Sequence, residues 1–149
     1  MTTVSLARLL DAADSGVFIL SPEIPVARVS ELRHKRGLQG FDVHCAGVGD
    51  KLGVLQAFAR DLRLPDWFGA NWDALADCLM DMEAVSKGPG VVMTVDGLET
   101  LAGHSPEDYE MLMGVLRDAA TYWQEEGMLF CVLLPGRRDV LGPDLPEAA

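Results

Sequence analysis

The chain has 149 residues, of which 49% are apolar and 23% charged; this is enough for one hydrophobic core and too apolar for a disordered chain. Twelve Lys and Arg against 23 Asp and Glu give a formal net charge of −11, which repels nucleic-acid phosphates and anionic membranes and attracts basic protein surfaces. Direct contact with nucleic acid or membrane is therefore not expected.

Read in chain order, Val4, Leu6, Leu9, Leu10 and Ala13 recur at helical spacing, and residues 16–20 (GVFIL) follow as a strand ended by Ser21, Pro22 and Pro25. The basic patch Arg33-His34-Lys35-Arg36 reads as a connector before Gly37. Residues 41–48 (FDVHCAGV) suit a strand. Residues 50–62 suit a helix capped by Asp50, with Leu52, Leu55, Phe58, Ala59 and Leu62 as its apolar stripe. After the loop 64–71, a helix is expected from Trp72 to Glu83. Residues 90–95 (GVVMTV) form an apolar run typical of a strand covered on both faces. Ser105, Pro106 and Asp108 are placed to start a long helix through a capping box, running to about Gln124. The strand MLFCVLLP comes next, and then a proline-bearing tail of low apolar content that is expected to be loosely ordered. Strands alternating with helices predict an α/β fold with a small, mostly parallel sheet packed with helices.

Three cysteines at 45, 78 and 131 contain no C-x-x-C pair, which argues against a disulfide framework or zinc ribbon and for reduced thiols. His34, His44 and His104 are scattered, and His44 and Cys45 point to opposite faces of a strand. No metal site is expected. The N-terminal segment lacks a basic start and carries Asp11 and Asp14, so it does not read as a signal peptide. The chain is expected to be cytoplasmic.

The informative stretch is residues 64–83, LPDWFGANWDALADCLMDME. On a helical wheel its second half separates Leu75, Cys78, Leu79 and Met82 from Asp73, Asp77 and Asp81, which form an i, i+4, i+8 ladder. Like charges at that spacing cost about 0.2–0.5 kcal/mol per pair, a repulsion that a cationic partner would relieve. Trp67 and Phe68 just upstream add the aromatic anchors typical of binding hot spots, and Gly69 permits close approach or a positive φ. Asp73 and Asp77, exposed and ionised, are unsuited to general-acid chemistry. No Gly-rich phosphate loop, G-x-S-x-G elbow or H-E-x-x-H motif is present, so no enzyme and no cofactor are expected.

The segment LPDWFGANWDALADCL resembles the signature loop and second helix of the barstar family, LP-x-aromatic-aromatic-G-x-N-x-DAL-x-DCL. The resemblance extends over about residues 41–136. It implies a non-catalytic inhibitor, or immunity protein, whose acidic helix and aromatic loop block the active site of a basic ribonuclease. By position, Asp77 would be the central plug, Asp73 a second carboxylate, and Trp67 the aromatic over the catalytic histidine. Gly69 and Asn71 would make loop contacts, and Asp118, within VLRDA, an auxiliary acidic contact. The chain departs from the best-known member at Ala76, where that member has tryptophan, and at Trp72, which replaces an aliphatic residue and is expected to supply a different anchor. Trp67 and Phe68 replace a tyrosine pair. An adaptor or regulator for another cationic protein is the alternative. The expected organisation is an N-terminal extension at 1–40 packed on the domain, the barstar-like domain at 41–136, and a loose tail at 137–149.

Overall fold

A computed structural model describes residues 3–65 and 68–149. Among the described residues, six strands form one all-parallel sheet: β1 (Thr3–Val4), β2 (Gly16–Leu20), β3 (Gln39–His44), β4 (Val91–Asp96), β5 (Phe130–Pro135) and β6 (Glu147–Ala148), in the order β1-β6-β2-β5-β4-β3. The expected α/β class holds. Alternation along each strand sends side chains to opposite faces. Val17, Ile19, Met93, Val95, Phe130 and Val132 face one core, which is covered by α3 (Lys51–Asp61), α4 (Trp72–Leu79), α6 (Glu99–His104) and α7 (Pro106–Glu125). Phe18, Leu20, Val92, Cys131 and Leu133 face a second core, covered by α1 (Leu6–Asp11) and α2 (Val26–Lys35). The apolar runs of β4 and β5 follow from this, because both strands are buried on both faces.

The tail is the clearest departure from expectation. Residues 138–141 form α8 (Arg138–Leu141), and β6 enters the sheet between β1 and β2, pairing Glu147 with both Thr3 and Ile19 and Ala148 with both Val4 and Leu20. The Tyr109 hydroxyl donates to the Leu141 carbonyl, and Arg138 donates to the carbonyls of Pro143 and Leu145. Low apolar content suggests a loose tail, but backbone pairing needs no apolar side chain, and the few apolar residues present are used: Leu141 and Ala148 are buried and Leu145 packs against the main core. The first 40 residues likewise do more than pack on a preformed domain, since β2 lies inside the sheet between β6 and β5.

The basic patch is the end of α2 rather than a connector, where cations favour the helix dipole. Arg33 is only 6% exposed; it donates to Asp42 at 2.9 Å and to the Val92 carbonyl at 3.3 Å, while Arg36 pairs with Asp11 at 2.7 Å. Gly40 makes room for this, since a Cβ there would stand 2.1 Å from the Arg33 guanidinium. On α3, Asp50 caps as expected, accepting from the Gly53 N–H at 2.8 Å. Of the expected stripe Leu55, Phe58 and Leu62 are buried and Ala59 is half-buried, whereas Leu52 is 56% exposed and Val54 and Ala57 are buried instead. Packing against β3 brings Val54 and Ala57 inward and leaves Leu52 at the outer edge of the stripe. Ser105 precedes α7 with Pro106 at its start, yet its hydroxyl donates to the Gly49 carbonyl and forms no capping box.

β3 is an edge strand, and its outer end is closed by side chains. The His44 N–H donates to the Asp61 carboxylate at 2.9 Å, and Arg60 donates to the His44 carbonyl at 3.0 Å. Hydrogen bonding from Arg60 holds the Asp61 carboxyl down at about 2, against partial burial, with the His44 N–H and the Arg60 charge adding to the effect. A lowered carboxyl pKa contributes stability fully above the unfolded value, about 4, and loses it as pH falls through the folded value. Asp61→Asn is therefore expected to cost about 1 kcal/mol near neutral pH, allowing for solvent screening of the exposed Arg60. Urea titrations of wild type and variant should converge as pH falls from about 4 towards 2; a gap that persists in acid would place the contribution elsewhere than in the charge.

Candidate acidic helix and loop interface

The loop after α3 turns back at once: the Leu64 N–H reaches the Ala59 carbonyl and the Phe68 N–H the Pro65 carbonyl, both at 2.9 Å. Trp67 lies outside the described residues. Phe68 is half-buried and packs against the main core, so only part of its ring faces solvent. Gly69 is exposed, which leaves close approach as its role, since it does not adopt the positive φ that was the other expectation. Ala70 does, at φ 48°.

Asn71 is the N-cap of α4. Its side-chain oxygen accepts from the Ala74 N–H at 2.7 Å, and its amide donates to the Gly69 carbonyl at 3.3 Å. The Asn71 side chain thus ties the loop to the helix start. Asp73, in the first turn, is free of that capping task and still gains from the positive end of the helix dipole.

Burial sorts the remaining candidates. Trp72, Leu75 and Leu79 face the core, with Trp72 only 8% exposed, so Trp72 is a core anchor and not the exposed partner contact expected of it. The reason is helical phase: Trp72 lies three residues before Leu75 and shares its face. Ala76 is half-buried against the same core. Asp73 and Asp77 are exposed one turn apart. Asp118 is exposed on α7, the helix against which α4 packs. Among the described residues, Asp73, Asp77, Asp81 and Asp118 enter no ion pair.

The third carboxylate of the expected ladder is not on the helix. α4 stops at Leu79, whose carbonyl accepts the Trp123 indole N–H at 2.9 Å. A continued helix would give that carbonyl to residue 83. Asp81 instead sits in the turn leading to α5 (Glu83–Ser86), and Met82 and Cys78 are half-buried rather than core residues. The break opens a groove of about 750 Å³ beside α4, lined by residues including Phe41, Leu62, Cys78 and Met82. Tyr122, also exposed, stands edge-on to Trp123 with ring centroids 5.0 Å apart. Its position four residues after Asp118 puts both on one face of α7.

The thiols are poorly suited to nucleophilic chemistry. Burial pushes Cys131 up to about 12, and burial together with the Asp96 and Asp61 carboxylates does the same for Cys45. His44 is exposed and its Nδ1 lies 2.6 Å from Asp96. Among the described residues no group of three or more His, Cys, Asp or Glu side chains is arranged to hold a metal, and no helix is long and apolar enough to cross a membrane.

The family model described as barstar (barnase inhibitor) matches residues 38–135. The chain belongs to the barstar family. The match starts at the threshold of β3 and ends with β5, so it contains α4, its loop and α7. No curated protein matches the chain. Among solved structures it is similar to the ORC2 protein of Aeropyrum pernix in a structure with ADPNP and ADP, at 19% identity and TM-score 0.62, covering 96% of this chain and 43% of that one. An ADP form of the same protein gives 20% identity and TM-score 0.64, covering 97% and 44%. The likeness is one of fold, and this barstar-family chain spans less than half the length of those ORC2 chains.

Burial predicts opposite consequences for neighbouring residues of α4. Trp72→Ala should destabilise by about 3–5 kcal/mol in urea unfolding. Asp73→Ala and Asp77→Ala should stay within about 0.5 kcal/mol of wild type. A neutral Trp72→Ala would mean that the indole is not part of the core.

Proposed function

We propose that this barstar-family protein is an intracellular inhibitor, or immunity protein, that occludes the active site of a basic ribonuclease or toxin nuclease with the face bearing Asp73 and Asp77. The observation that carries the reading is that two carboxylates, one turn apart on α4, are exposed and, among the described residues, without internal counter-ions in a chain whose net charge is −11. Other carboxylates do find such partners: Asp42 pairs with Arg33, Asp11 with Arg36 and Asp61 with Arg60.

Asp77, at the middle of α4, is the central plug and meets the cationic cluster that a nuclease uses to bind RNA phosphates. Asp73 contributes at the rim, and Asp118 and Tyr122 extend the contact on α7. Gly69 and Asn71 hold the loop in place, leaving Trp67 and the free part of Phe68 as its aromatic contribution. The excess negative charge steers a basic partner and makes association strongly salt-dependent. Carboxylates meeting guanidinium groups in a dry cleft form charge-assisted hydrogen bonds.

The reading is non-catalytic. The turn after the central strand β2 reads Ser21-Pro22-Glu23-Ile24-Pro25, with neither the glycines nor the lysine of a phosphate-binding loop. The likeness to the nucleotide-bearing ORC2 structures is one of fold, and that turn supports the non-catalytic reading. A second reading, a barstar-like adaptor for another cationic protein, is favoured by Ala76, half-buried and small where the best-known member presents tryptophan.

The test is inhibition of RNA hydrolysis by a panel of basic ribonucleases. Stoichiometric inhibition is expected for at least one, with an association rate that falls steeply as salt rises. Asp77→Ala should weaken it by about a hundredfold or more, since an unpaired charge is left buried across the interface, and Asp81→Ala by less than about tenfold. Equal effects would contradict the placement of Asp77 at the centre. Tight binding of a cationic protein with no nuclease inhibited would favour the adaptor.

A further inference from the structure

We propose that the groove beside α4 is a second contact point, which takes a lysine or arginine side chain, with its aliphatic stem and an apolar neighbour, from a protein partner. This rests on the inhibitor reading for the class of partner, and adds a subsite on the side of α4 away from α7.

The groove exists because α4 ends early. The chain breaks at Met80, turns through Asp81, and returns as α5, so Met82, Glu83 and Ala84 face the last turns of α4 across a space of about 750 Å³. That volume lies in the range of small-ligand sites. Phe41, Leu62, Leu64, Cys78 and Met82 line it with apolar surface, and Asp77, Asp81 and Glu83 bring carboxylates to it. Among the described residues Asp77 and Asp81 enter no ion pair, and Glu83 holds only the exposed Lys87, at 3.3 Å. Among the described residues one cation, Arg63, shares the wall, held at φ 54° where the chain leaves α3.

This combination selects its occupant. A wholly apolar group would strip water from the carboxylates without replacing it. A small hydrated cation would leave the apolar lining wet, and an anion meets three carboxylates against one guanidinium. A long cationic side chain satisfies both parts, laying its methylenes on Phe41 and Met82 and delivering its charge to Asp77 and Asp81. Because Asp77 borders both the groove and the exposed face of α4, the two contacts are continuous, and one loop of a basic protein can reach both.

The test is an NMR titration of the whole chain with the blocked tripeptide Leu-Arg-Leu at roughly millimolar concentration, with Leu-Glu-Leu as control. Saturable shifts are expected at Ala74, Cys78, Met82 and Ala84 for the arginine peptide alone. Asp81→Asn with Glu83→Gln should weaken binding by about fivefold, two screened charges being removed; Glu125→Gln on α7 should not alter it. Ala84→Trp, which fills the groove, should abolish it, and the double carboxylate variant keeps the test decisive if that protein fails to fold. Equal binding of Leu-Glu-Leu, or shifts scattered away from the groove, would overturn the proposal. Nuclease inhibition without peptide binding removes the subsite and leaves the inhibitor. Peptide binding in a chain that blocks no nuclease leaves the subsite and removes the inhibitor.

Discussion

The packing of α4 against α7 positions everything that the acidic face offers. Trp72, Leu75 and Leu79 fix which side of α4 is buried, and the Trp123 indole fixes where the helix ends by taking the Leu79 carbonyl at 2.9 Å. With one side committed to the core, Asp73 and Asp77 have nowhere to point but solvent. With the end committed to Trp123, the chain turns at Asp81 and the groove opens. One buried hydrogen bond of ordinary strength, about 1 kcal/mol net, thus decides geometry far beyond its energy, because it sits where helix and turn compete for the same carbonyl.

Charge is distributed with a similar division of labour. Arginines of α2 and α3 are engaged by nearby carboxylates: Arg33 closes on Asp42 of β3, Arg36, just after α2, on Asp11 of α1, and Arg60 with its chain neighbour Asp61 seals the outer edge of β3. Burial works to raise the Asp42 pKa, but hydrogen bonds from Thr94 and Arg33 outweigh it and hold the carboxyl below its ordinary range. These pairs stabilise the scaffold. The carboxylates of α4 have no such partner among the described residues, and their mutual repulsion is small enough, at a few tenths of a kcal/mol per pair, for the fold to carry it.

The parallel sheet explains why a short family core and a longer chain coexist. The matched region ends with β5, whose other neighbour in the sheet is β2, from the N-terminal segment. Residues before and after the matched region supply β1, β2, α1, α2 and β6, and so widen the sheet and cover its second face. A chain that buries both faces of a parallel sheet needs helices on each, and α1 and α2 meet that need.

The α/β class, the order of the central elements, the Asp50 cap, the start of α7 at Pro106 and the outward Asp73–Asp77 pair were legible in the sequence, because period, capping chemistry and local spacing are properties of contiguous residues. Other features were not legible, for a common reason. The burial of Val54 and Ala57 rather than Leu52 on α3, the inward turn of Trp72, the break at Leu79, the pairing of Arg33 with Asp42 and the seating of β6 between β1 and β2 each depend on a partner distant in the chain. Where a helix had apolar residues beyond its stripe, or a carbonyl had two possible donors, only the packed neighbours could choose. The sequence by itself determined that this protein carries a crowded negative helix beside an aromatic loop; the tertiary structure decided which of those groups face outward, because burial of one side of α4 settles the direction of the other.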